Sequence, residues 1–155
     1  MKRFCIVLLL AGALACGRMG PPRPPEDFAP AALKAFEVRG TVGGVVLRWN
    51  APESTAAGDP LEDLLGFSVK RSSFEVGESP DYDELVFVEF NSEEPAAEPE
   101  NVKTAKLFEY NDKAVEPGKV YDYLVVPVNE RGVEGEIPGK ARVTFIGQSS
   151  IIELQ

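Results

Sequence analysis

The chain has 155 residues, 25 acidic against 16 basic, a formal net charge of −9, two cysteines and no histidine. No imidazole base, Ser-His-Asp triad or histidine metal ligand can therefore be built, and an acidic balance opposes the phosphate neutralisation on which nucleic-acid affinity rests. A hydrophobic share of 44% suffices for one modest core, so the expectation is a single domain with no nucleic-acid partner.

The N-terminus reads as an address. Lys2 and Arg3 precede the twelve-residue uncharged run Phe4–Ala15, and Cys16 follows at once. A helix needs about 20 apolar residues to span a bilayer, so this run predicts a secretory leader and not a span. Exported proteins use cysteines in pairs, but Cys5 lies inside the leader, which leaves Cys16 alone at the junction. Ala13-Leu14-Ala15-Cys16 resembles the lipobox of bacterial lipoproteins. The resemblance implies removal of residues 1–15, thioether lipidation of Cys16 and acylation of the new N-terminus. Two or more acyl chains, at about 0.8 kcal/mol per buried methylene, anchor where one cannot. The acidic body carries no basic cluster beside the anchor, so the membrane partnership rests on those chains alone.

Residues 16–32 form the expected tether. Gly17 to Ala32 holds five prolines in sixteen residues, which favours extended polyproline-II backbone. At ~3.1 Å per residue such a stalk reaches on the order of 50 Å. Cys16-Gly17-Arg18-Met19-Gly20-Pro21 also resembles the C-G-x-x-G-P start of short outer-membrane lipoproteins that help assemble the lipopolysaccharide-export translocon. That likeness implies an alternative role as an assembly accessory acting through this segment. Gly17 in place of Asp after the cysteine implies, by the enterobacterial sorting pattern, the outer membrane facing the periplasm.

From Leu33 onward short alternating runs separated by Gly, Pro and Asn/Asp predict an all-β domain over 33–147, with 148–155 as a C-terminal tail. Leu33–Arg39 is the first predicted strand, with Leu33 or Phe36 turned inward. Val45, Leu47 and Trp49 share one face of the second, and Phe67 and Val69 one face of the third. Leu85–Phe90 and Lys106–Tyr110 are shorter. Val120–Asn129 is the longest, and Ala141–Ile146 closes the set with Val143 and Phe145 inward. No segment sustains helical periodicity; Ala29–Phe36 and Pro60–Leu65 allow one or two turns at most. About seven strands of this length suit an immunoglobulin-like β-sandwich.

Trp49, Gly66-Phe67-x-Val69-x-Arg71 and the run Val115-x-Pro117-Gly118-x-x-Tyr121-x-Tyr123-x-Val125-x-Pro127-Val128-Asn129-x-x-Gly132 together resemble a fibronectin type III domain. The resemblance implies that Tyr121 forms the tyrosine corner, its ring in the core and its hydroxyl bonded to upstream backbone. Trp49, Phe67 and Tyr123 are then structural residues. Pro127 departs from the pattern; lacking an amide proton, it predicts a bulge or a gap in pairing.

Chemistry-bearing constellations are few. The acidic stretch Glu78-Ser79-Pro80-Asp81-Tyr82-Asp83-Glu84 has oxygen ligands but neither the glycine turn nor the distal glutamate of a calcium loop, and reads as a solvated loop. Asn91–Lys103 is acidic, proline-broken and too polar for a strand. Lys70 and Lys140 fall on outward or loop positions, so no buried lysine is at hand to activate a serine. The expectation is no enzyme, no metal and no cofactor. One feature points to binding: with Tyr121, Tyr123 and Val125 inward, Leu124, Val126 and Val128 face outward, flanked by Lys70 and Arg142. Either the lysine and arginine stems cover these aliphatic side chains, or they form a contact face for an envelope protein or glycan.

Overall fold

Period-two alternation leaves each strand with one apolar face, and two sheets that stack those faces satisfy every strand at once. In a computed structural model, which describes residues 23–73, 81–90, 106–147 and 150–155, the strands are β1 (Lys34–Thr41), β2 (Gly44–Asn50), β3 (Leu64–Ser73), β4 (Asp83–Glu89), β5 (Leu107–Asp112), β6 (Lys119–Asn129), β7 (Gly139–Phe145) and β8 (Ser150–Leu154). They form a three-stranded sheet β1-β2-β5 and a five-stranded sheet β4-β3-β6-β7-β8. Every pairing is antiparallel. This is an immunoglobulin-like, fibronectin type III-like β-sandwich, the fold class expected from the sequence. Among the described residues the helical structure is a single 3-10 turn at Pro25–Phe28.

The core lies where the sheets face each other. Val45, Leu47 and Trp49 of β2 oppose Phe67 and Val69 of β3, Tyr123 and Val125 of β6 and Val143 of β7, all fully buried. Trp49 meets Phe67 edge-on at 5.5 Å and stacks on Phe108 at 6.1 Å, while Phe67 and Phe108 lie 4.7 Å apart. Such pairs add about 0.5–1.5 kcal/mol each beyond the area they bury.

Three details depart from the sequence reading, and one on β1 extends it. On β1 Leu33 and Phe36 pack partly buried against the core, and Val38, two residues beyond Phe36, is buried with them. A register shift between Lys34 and Glu37, with Ala35 at φ 49°, resets the alternation. Leu33 and Phe36, the two inward alternatives, both rest on Gly139, where an added Cβ would lie 3.0 Å from the first and 2.8 Å from the second. Residues 150–154, expected as tail, form β8, with Ile152 opposite Val143. Beyond β7 the same strand reaches the other sheet: a Cβ on Gly40 would lie 2.5 Å from that of Ser150.

Pro127 produces the expected gap on one side only. β6 pairs with β7 as far as Val125↔Gly139, after which the chain swings out and Gly135 donates to the Pro127 carbonyl. On the β3 side, Phe67↔Pro127 continues the ladder. Finally, residues 23–32 have the composition of the expected tether, yet Ala29 and Pro30 are buried against the sandwich. The Ala56 amide donates to Ala29, and the Ala31 amide donates to Ser54.

Trp49→Ala removes the ring that both sheets share. We expect a loss of about 3–5 kcal/mol, read as a lowered urea midpoint with unchanged cooperativity if the remaining core holds.

Candidate functional site

The outer face of the five-stranded sheet is where the sequence placed its binding patch. Cross-strand rows Ser68↔Val126, Lys70↔Leu124 and Asp122↔Arg142 bring Leu124, Val126, Lys70 and Arg142 onto that face, with Val128 opposite Gly66. Of the two alternatives, cover describes this face better: Val126 is 5% and Val128 9% exposed, and Leu124 is half-buried. β4, which the sequence reading left out of the patch, also borders this face. Phe87 shares a row with Ser68, and its ring lies across Gly66, where an added Cβ would stand 2.7 Å from a ring carbon. Glycine next to a cross-strand aromatic is a recurring sheet device: the ring occupies the space that the missing side chain leaves. On the same face Lys70 Nζ reaches Glu134 at 2.9 Å, and Glu134 bridges to Val128. The face thus carries an aromatic ring beside Gly66 and an ion pair beside Val128.

Arg142 is engaged differently. Its Nε and Nη2 donate to the two oxygens of Asp122, both at 2.8 Å, and Asp122 is 1% exposed. The hydrogen bond to Asp122 holds the Arg142 guanidinium above its ordinary pKa, against desolvation. Burial and the same carboxylate raise the Tyr82 phenol. The Ser68 hydroxyl donates to Glu84. Of the acidic stretch 78–84, residues 78–80 lie outside the described residues, as do Cys16, the leader, most of the tether and the stretch 91–103. Among the described residues no three His, Cys, Asp or Glu side chains are grouped to hold a metal ion.

A second polar constellation, which the sequence reading missed, crosses the sandwich interior. Asp112 ends β5 and is 2% exposed. Its Oδ2 accepts from Arg71 at 2.7 Å and from the Tyr123 hydroxyl at 2.8 Å, while Oδ1 accepts from the Ala114 amide at 2.9 Å. Arg71 also donates to the Ala114 carbonyl at 2.8 Å and lies 5.2 Å from the centre of the Tyr121 ring. Asp112 belongs to one sheet, Arg71 and Tyr123 to the other, so the cluster ties the two layers together. The Tyr121 hydroxyl accepts from the Glu116 amide at 2.9 Å, which is the geometry of a tyrosine corner. A signal for the cluster was present in the chain. The inward series Phe67, Val69, Arg71 and Phe108, Tyr110, Asp112 each end in a charge, and the charges are opposite.

Electrostatics follow from this geometry. Burial drives the Tyr123 phenol far above its ordinary range, the Asp112 carboxylate adding to it and Arg71 opposing. Burial also disfavours the Arg71 cation, but the hydrogen bond and attraction of Asp112 outweigh it and raise its pKa. Asp112 has its oxygens occupied by structural donors, and Asp122 is chelated by Arg142. These are the buried carboxylates of the described residues, and both act as cross-links.

No family model and no curated protein matches the chain. Among solved structures it is similar to the twitchin kinase region from C. elegans, at 12% identity and a TM-score of 0.49. That likeness covers 77% of this chain and 17% of that one.

Asp112→Ala leaves Arg71 half-buried without its carboxylate and is expected to cost about 3–5 kcal/mol; pairing it with Arg71→Met should recover much of the loss in chemical denaturation. The raised Tyr123 pKa means that the folded chain keeps a proton that the unfolded chain releases near pH ~10. Its stabilising contribution is present below that pH and is lost as pH rises toward the folded value. Tyr123→Phe should therefore flatten the alkaline fall in stability by about one proton, at a cost near neutrality of about 1.5–3 kcal/mol for the bond to a charged acceptor. Urea titrations from pH 7 to 11 read both effects.

Proposed function

We propose that this chain is a lipid-anchored cell-envelope protein, held in the outer membrane and facing the periplasm, whose sandwich is a non-catalytic binding or adaptor module. The observation that carries the reading is the apolar run Phe4–Ala15 ending on small residues at Cys16, with no second cysteine left in the mature chain to pair with it. The organisation of the domain supports the non-catalytic part. Its buried ionisable side chains are engaged in holding sheets and strands together, through Asp112 with Arg71 and Tyr123 and through Asp122 with Arg142. The partner class in this reading is an envelope protein or glycan, met at raised local concentration because the anchor confines the domain to a surface.

The anchor is tested directly. The full chain, expressed with its leader in a Gram-negative host, should sediment with membranes and partition into detergent. Its N-terminal peptide should carry a diacylglyceryl thioether and an amide-linked acyl chain by mass spectrometry. Cys16→Ser should move nearly all of the protein to the soluble fraction, because removing the acyl chains removes the whole membrane attachment. An unmodified Cys16 in the membrane-extracted protein would falsify the reading.

A further inference from the structure

The strand ends divide the sandwich into two poles. One carries the 51–63 and 130–138 connections and the start of β1; the other carries the 42–43 turn and the 113–118 and 146–147 connections. The segment leading in from the N-terminus is docked at the first pole by several independent contacts. Arg23 pairs with Asp59. The fully buried Asn129 donates its side-chain amide to the Phe28 carbonyl at 3.1 Å while its oxygen holds the Arg131 and Val133 amides. The Arg131 guanidinium lies 4.8 Å from the centre of the Phe28 ring. Gly135 lies so close to the arm that an added Cβ would stand 2.8 Å from the Pro30 carbonyl. Backbone pairing with Ser54 and Ala56 completes the seat. Residues 23–32, ten residues of the expected stalk, are thus a built part of the domain.

This changes the reach of the anchor. Between Cys16 and Arg23 lie six residues, and at most ~3.6 Å per residue this chain spans about 25 Å, half of what composition implied. β6 alone, at eleven residues and ~3.3 Å each, is about 35 Å long. The connection is therefore shorter than the domain that it holds. We propose that the docked arm is an orienting collar: it fixes the pole formed by residues 23–32, 51–63 and 130–138 as the surface facing the lipid headgroups. The opposite pole, with its tyrosine corner, is turned away from the bilayer. This rests on the acyl anchor proposed above, and it replaces a free stalk with a short leash and a defined attitude.

The test uses the full acylated chain, in which an introduced cysteine is the single free thiol. Ala57→Cys at the near pole and Lys113→Cys at the far pole, both exposed positions, are each labelled with a fluorescent donor. The proteins are reconstituted into phosphatidylcholine vesicles bearing a headgroup acceptor dye. Energy transfer from position 57 should exceed that from 113 by about twofold or more, given a sandwich ~35 Å long. A flexible insert of about twenty Gly/Ser residues before Arg23 should erase the difference by lengthening the tether. Acylated protein with equal transfer from both positions overturns the collar and leaves the anchor standing. Protein whose Cys16 carries no acyl chain by mass spectrometry overturns the anchor, and the collar with it.

Discussion

Two sheets in water hold together only if each hides one face against the other, and here the burden falls on a ring cluster at the middle of the interface. Trp49 comes from the smaller sheet, Phe67 from the larger, and Phe108 lies against both. The strands on either side of β2 and β3 align to this contact: β5 presents Phe108 because it pairs with β2 at Trp49↔Phe108, and β6 presents Val125 because it pairs with β3 at Val69↔Val125. Register and core are one constraint seen from two directions. A one-residue slip on either strand would turn the whole apolar set to solvent.

Toward one pole the interface changes character. Hydrophobic contact gives way to the Asp112, Arg71 and Tyr123 cluster, and beside it Tyr121 secures the connection before β6 through the Glu116 amide. A buried ion pair is poor evidence of net stabilisation, since desolvation offsets much of its attraction. What it does here is select one relative position of the sheets, because three donors must reach the same carboxylate. Toward the other pole Asn129 has a comparable part, binding the arm with one end of its amide and the 130–133 turn with the other.

The strands and their inward faces were legible in the sequence wherever alternation was clean, as in Val45, Leu47, Trp49 and again in Val143, Phe145. Legibility failed for three physical reasons. In β8 the adjacent Ile151 and Ile152 mask the period of two, so a pairing strand read as a tail. On the outer sheet face, local pattern placed Val126 and Val128 outward correctly but could not show that Phe87, forty residues earlier in the chain, folds its ring over Gly66 beside them. In the arm, proline content signals extended backbone, which is equally the conformation of a free stalk and of a segment laid into a groove. Only the partners distinguish the two, and those are Asn129, Arg131 and Gly135, about a hundred residues downstream.

The eighth strand has a mechanical consequence. A seven-stranded sandwich of this topology sends its chain out at the pole opposite its entry, whereas β8 runs back beside β7 and brings Gln155 to the Lys140 carbonyl, at the same pole as Arg23. A pull between the two ends would act across the strands, peeling the edge ladder open one bond at a time, and would spare the Trp49 interface until the ladder had gone.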